Sequence, residues 1–157
     1  MENLTRIASF SVNHDYITEG IYVSRIDGDI TTYDMRTRVP NNSDDDYMSN
    51  LTMHSFEHLF ATYVRNSELG SRVIYFGPMG CQTGFYLLVR NADNAETLSA
   101  VKAVLKKIVA HEGDVPGAKR EECGNYKNLE LECARVEARR YLAALDNDKN
   151  NFKYPEE

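Results

Sequence analysis

Hydrophobic and polar positions divide the chain into short, differently spaced segments. Gly20–Ile26 and Asp29–Arg38 are rich in β-branched and aromatic residues and flank Asp27-Gly28-Asp29, which predicts two strands joined by a turn. From Ser49 to Ser67 the spacing is helical: Phe56, Leu59, Phe60 and Tyr63 fall on one side at roughly 100° per residue. Gly70-Ser71 ends that pattern. Arg72–Phe76 and Gly84–Arg90 then read as strands around a Gly-Pro-Met-Gly turn region. A second helix is predicted from Asn94 to about His111, with Leu98, Val101, Val104, Leu105 and Ile108 on its buried face. Asp93 with Glu96 gives it a capping-box-like start, and Gly113 lies past its end. A last helix, about Asn128–Leu145, aligns Leu131, Ala134, Ala138, Tyr141, Leu142 and Leu145. The polar tail, about residues 146–157, is expected to fray.

The strands are linked by short connections, so they pair antiparallel, with the helices covering one face. The fold class is α+β in a single domain spanning residues 1–157. Val39–Asp46 is a loop whose acidic run precedes the first long helix, where negative charge is favourable.

Composition narrows the function classes. The 157 residues are 42% hydrophobic and 27% charged, the balance of a globular chain. A net charge of −6 offers no footprint for a phosphate backbone, which argues against nucleic acid as a partner. No apolar run is long enough to cross a bilayer, and Met1–Arg6 has no apolar signal core. Three cysteines without a signal segment point to a reducing, cytoplasmic compartment rather than a disulfide framework. Each cysteine is therefore a candidate for chemistry.

The strongest local signal is His54-Ser55-Phe56-Glu57-His58. On a helix, His54 and His58 stand one turn apart and can share a metal ion, and Glu57 lies on the same side as a possible base. This polar side is opposite the aromatic stripe. A catalytic metal site needs a third ligand, and Cys123, in Glu122-Cys123-Gly124, is the best thiolate candidate. Cys81 stands in the tightly shaped Gly77–Gly84 connection, where a thiol can act as nucleophile or acid–base group. Cys133 shares helical spacing with Leu129 and Val136 and reads as a packing residue.

Three segments together resemble the S-ribosylhomocysteine lyase, or LuxS, family. They are His54-Ser55-Phe56-Glu57-His58-Leu59-Phe60-Ala61, Gly77-Pro78-Met79-Gly80-Cys81-Gln82-Thr83-Gly84-Phe85-Tyr86-Leu87 and Glu122-Cys123-Gly124-Asn125-Tyr126. The likeness extends to Ser9–His14 and to Tyr33-Asp34-Met35-Arg36, and so over nearly the whole chain. The resemblance implies an enzyme that splits S-ribosylhomocysteine into homocysteine and 4,5-dihydroxy-2,3-pentanedione, the precursor of the autoinducer-two quorum-sensing signal. It implies one divalent ion per subunit, Fe(II) replaceable by Zn(II) or Co(II), on His54, His58 and Cys123. Cys81 and Glu57 would be the acid–base pair, and Ser9, His14 and Arg36 would line the substrate site. It also implies a homodimer with active sites at the subunit interface. Tyr75-Phe76-Gly77 is a departure, because many relatives carry an acidic residue, a hydrophobe and Ser there. Thr37-Arg38-Val39 is less apolar than the family pattern.

Two rival functions fit parts of the pattern. H-x-x-E-H is also the inverted zinc-peptidase motif, with Glu130 or Glu132 as third ligand. A non-catalytic metal-binding module would use a closed four-ligand site and have no need of Cys81.

Overall fold

The computed structural model describes residues 3–147 and 150–156. Gly20–Asp27 (β1) and Ile30–Arg36 (β2) form an antiparallel hairpin. Its two-residue turn places Gly28 at φ +60°, a conformation that a side chain would strain. Gly84–Arg90 (β4) pairs antiparallel with β2, and Val73–Pro78 (β3) pairs antiparallel with β4. The sheet order is β1-β2-β4-β3. Gly84 faces Arg36 in this register, and a Cβ there would come within 2.5 Å of the Met35 carbonyl oxygen. Glycine thus lets strands β2 and β4 close tightly.

One face of the sheet carries Tyr33, Met35, Phe85, Leu87 and Val89, all buried. The other carries Thr32, Asp34, Arg36, Tyr86 and Leu88, as the two-residue period requires. A short turn of helix, Ala8–Ser11 (α1), precedes the sheet. Three long helices follow: Asn50–Arg65 (α2), Asn94–Ala110 (α3) and Leu131–Asn147 (α4). They pack on one another, and α2 and α4 reach strands β3 and β1. The expected α+β single domain is therefore the observed one.

The aromatic stripe of α2 explains why that helix docks. Phe56 and Phe60 are fully buried against Phe76 and Phe85, with ring centroids 4.8 Å apart for Phe56–Phe85 and 4.4 Å for Phe60–Phe76. Each ring so buried stabilises the fold by about 1.5–3 kcal/mol. The opposite side of α2 is thereby turned away from the core.

Four expectations need adjustment. Ser49, not the acidic run, caps α2 by accepting from the Thr52 amide at 3.1 Å, and its first turn holds no acidic residue. Asp46 instead pairs with Arg38 and, at 2.6 Å, with Arg140. Helix α4 begins at Leu131 rather than Asn128, because Asn128–Glu130 is engaged with α2: the Glu130 amide donates to Ser55 Oγ at 2.8 Å. Cys133 is only half-buried and Val136 is exposed, so that pair lies off the core face of α4. The tail does not simply fray: Val23 N donates to the Phe152 carbonyl at 2.9 Å, and Tyr154 stacks on Tyr22. Residues 148, 149 and 157 of that tail lie outside the described residues.

Candidate metal centre and its surroundings

Helix α2 presents His54, Glu57 and His58 half-buried on its outward side. The two rings meet edge to face, with centroids 4.7 Å apart. Each is fixed by a backbone carbonyl: His54 Nδ1 donates to Asn128 O and His58 Nδ1 to Pro116 O, both at 2.8 Å. A carbonyl only accepts, so each Nδ1 carries the proton and each Nε2 keeps a lone pair for a metal. The 115–118 turn must pass close to make this contact. Gly117 there has φ +77°, and a Cβ on it would approach His58 Nδ1 to 2.9 Å.

Cys123 completes the group. Its Sγ is 3.4 Å from His54 Nε2, and it accepts a hydrogen bond from the Asn125 amide at 3.4 Å. Ligand atoms of His54, His58 and Cys123 all lie within 4.8 Å of one another. Two imidazoles and a thiolate around one ion at about 2.0–2.3 Å stand roughly 3.5 Å apart, so the donor set fits a divalent metal with a position left open. Among the described residues this is the group that fits; Glu132 is exposed and neither Glu130 nor Glu132 joins it. The peptidase ligand set is thus replaced by one with a thiolate. Beside it lies a cleft of about 270 Å³, lined by Asn50, Met53, His54, Glu57, Pro78, Asn125 and Asn128. Glu57 therefore faces the same space as a ligand.

Pro78 of that cleft leads directly into the loop that carries Cys81, whose side chain is exposed. The loop is held from both ends. The Met79 amide donates to the Gly84 carbonyl at 2.9 Å, and Gln82 donates through Nε2 to the Met48 carbonyl at 2.8 Å. Gln82 sits at φ +65°, an uncommon conformation for a side-chain-bearing residue that these bonds enforce.

The S-ribosylhomocysteinase (LuxS) family model matches residues 7–152. Similar full-length chains are the S-ribosylhomocysteine lyases of Finegoldia magna, Borreliella afzelii and Clostridium acetobutylicum. They are 41%, 39% and 39% identical, over 98%, 97% and 98% of this chain and 100% of each of theirs. The chain belongs to the S-ribosylhomocysteinase (LuxS) family.

The remaining family-implied residues occupy three different places. Arg36 is 2% exposed and lies beneath the Cys81 loop. Its guanidinium donates to both Asp34 oxygens, at 3.1 and 2.6 Å, and to Thr83 Oγ1 at 2.8 Å. Burial alone would ease the proton off Arg36, but the Asp34 carboxylate more than offsets it and holds the cation above its ordinary range. Thr83 Oγ1 in turn is 2.9 Å from Cys81 Sγ. Since Thr83 accepts from Arg36, its own hydroxyl hydrogen is left for the sulfur.

Ser9 lies on α1, over the outer face of the sheet. It lines a depression of about 310 Å³ with Ser24, Thr32, Tyr75, Tyr86 and Leu88. His14 turns its Nδ1 onto the Val12 carbonyl at 2.9 Å. Neither lines the cleft beside His54 and Glu57. Within the chain, then, His54, His58 and Cys123 come together with Glu57, Arg36 comes together with Cys81, and Ser9 and His14 stay apart from the cleft.

The family departures have structural partners. Tyr75 lays its ring across Gly77, where a Cβ would meet the phenol oxygen at 2.1 Å. Arg38 reaches Glu137 of α4 with Nη2 at 2.6 Å from Oε1, so this charge after β2 has a buried partner. Sequence reasoning missed Asp34, Thr83, Pro116 and Asn128 as supports of the site. Asp34 had a signal, since it is two residues from Arg36 on one strand face. The two carbonyls had none, because a backbone oxygen carries no sequence mark.

Proposed function

We propose that this chain cleaves S-ribosylhomocysteine to homocysteine and 4,5-dihydroxy-2,3-pentanedione. The observation that carries the reading is the convergence of Cys123 on His54, across 69 residues of chain, with both histidine Nδ1 atoms already committed. His54, His58 and Cys123 would hold one divalent ion, Fe(II) in the native enzyme with Co(II) or Zn(II) as substitutes. When bound, that ion supplies Lewis acidity, polarising the sugar carbonyl without any change of redox state.

The chain's own residues carry the protons. In this reading Cys81 takes a proton from the carbon beside the carbonyl and returns it to the neighbouring carbon, so that the carbonyl moves from C1 towards C3. With the carbonyl at C3 the C4 hydrogen becomes acidic. Glu57 removes it; the C5–S bond breaks, the electron pair leaves with sulfur, and the homocysteine thiolate takes up a proton. Atoms balance without added water. Arg36 and Thr83 hold the Cys81 sulfur in place.

The reading includes a homodimer with shared sites. Its support is the separation of Ser9 and His14 from the cleft of their own subunit. Leu4, Ile7 and Phe10 of the N-terminal arm are exposed and apolar, as are Ile26 and Tyr75 on the sheet. A second copy covering these surfaces would bring one subunit's arm to the other's cleft. Cytoplasmic residence and supply of a quorum-signal precursor belong to the same reading, the first supported by three free thiols.

The test is direct. Protein purified anaerobically with Fe(II) or Co(II) is mixed with S-ribosylhomocysteine, and released homocysteine is titrated with a thiol reagent. Stoichiometric homocysteine is expected. None from metal-replete protein overturns the reading.

A further inference from the structure

The C-terminal tail is joined to the Cys81 loop by an unbroken line of hydrogen bonds. Tyr154 Oη donates to Asp34 Oδ2 at 2.7 Å. Asp34 is fully buried, and both its oxygens accept from the Arg36 guanidinium. Arg36 Nη1 donates to Thr83 Oγ1, which lies 2.9 Å from Cys81 Sγ. The tail is anchored independently of this line. Phe152 accepts from the Val23 amide and sets its ring edge-on to Tyr33 at 6.1 Å, while Tyr154 stacks on Tyr22 at 4.9 Å.

We propose that Tyr154 is a positioning residue for the lyase reaction: its hydroxyl locks the Asp34 carboxylate, and through Arg36 and Thr83 fixes the Cys81 sulfur. The proposal rests on the reading of Cys81 as the acid–base thiol. The physical reason is the geometry of a carboxylate held by an arginine fork. The fork occupies one direction on each oxygen, and a third donor on Oδ2 sets the rotation of the pair and draws off part of its negative charge. More of the Arg36 cation is then felt at Thr83 and the sulfur. Burial, with the neighbouring Asp34 charge, pushes the Tyr154 phenol well above its ordinary range, so this hydroxyl donates throughout the working pH range.

Tyr154→Phe keeps the stacking ring and removes only the hydroxyl, and with it the bonds to Asp34 and Ser24. In Co(II)-loaded full-length enzyme we expect kcat to fall about tenfold, with KM for S-ribosylhomocysteine within about twofold and metal content unchanged. Alkylation of Cys81 by iodoacetamide, followed site by site by mass spectrometry, should slow severalfold while that of Cys133 does not change. Tyr22→Phe, which leaves the line intact beside the same tail, is the control and should match the wild type in both measurements. Wild-type kcat and wild-type Cys81 alkylation in Tyr154→Phe overturn the proposal. So does a loss of kcat without slowed Cys81 alkylation, or an equal loss in Tyr22→Phe; both make Tyr154 merely structural. Cys81→Ser, assayed alongside, separates the two readings. Near-normal turnover there defeats the acid–base role of Cys81, while alkylation in Tyr154→Phe still decides whether the tail controls the thiol.

Discussion

The residue types at the centre divide by what each side chain can do. Imidazole with Nδ1 tied to a carbonyl is a ready neutral ligand, and His54 and His58 are both tied in this way. A thiol against His54 Nε2 is placed to share an ion with that imidazole, and a thiol against Thr83 is not. The three cysteines should therefore respond differently to removal. Cys123→Ala is expected to lose bound metal, measured by elemental analysis of purified protein. Cys81→Ala and Glu57→Ala should retain it and lose turnover by about 10²–10⁴-fold, measured as homocysteine release. Cys133→Ala should approach wild-type activity; damage equal to that of Cys81→Ala would undo the division. Cys81 and Cys123 stand out as candidates in the sequence because each sits in a glycine-marked loop. Cys133 was misread: its helical spacing with Leu129 and Val136 says nothing about which side of α4 meets the core, and Val136 is exposed.

Helices and strands were legible wherever one period ran unbroken, and their ends were not. The α2 stripe docks as its spacing requires, but the start of α4 moved because Asn128 and Glu130 bond to α2 instead of to their own helix. Ion pairs between elements were invisible for the same reason, since they join positions far apart in the chain. Glu137 of α4 is fully buried and is gripped by Arg38, 99 residues away. Glu137→Ala leaves that arginine without its buried partner, and a loss of about 3–5 kcal/mol is expected in urea unfolding. Asp46 joins the post-β2 loop to α4. The Arg140 hydrogen bond, aided by Arg38 against partial desolvation, holds its carboxyl below the ordinary 3.8. A lowered carboxylate pKa stabilises the fold above the ordinary value, and the gain is lost as pH falls through the folded value. Wild type should thus melt higher than Asp46→Asn near neutrality. The gap should close below about pH 4, and a pH-independent gap would contradict this account.

At the scale of the molecule, the question is how a chain of this size builds a secluded sugar site. The single chain offers an open cleft of about 270 Å³ with Ser9 and His14 outside it. If two subunits share their sites, inactive Cys81→Ala and His14→Ala chains should complement each other when unfolded, mixed in equal amounts and refolded together. About a quarter of sites would then be intact, since half the dimers are mixed and each carries one good site. No activity in a mixture shown by sedimentation to contain mixed dimers would place both residues in one subunit's site. The sequence by itself pointed to the α+β class, to His54, His58 and Cys123 as candidate metal-holding residues, to the Cys81 loop and, through its motifs, to the family, because periodicity and motif chemistry are local properties of the chain. Only the tertiary structure decided which carbonyls fix the histidine tautomers, that Arg36 is buried on Asp34 rather than exposed, and that the tail returns to β1. Those contacts join backbone and side-chain atoms many residues apart, and their energy exists only once the sheet and α2 have brought them within hydrogen-bonding distance.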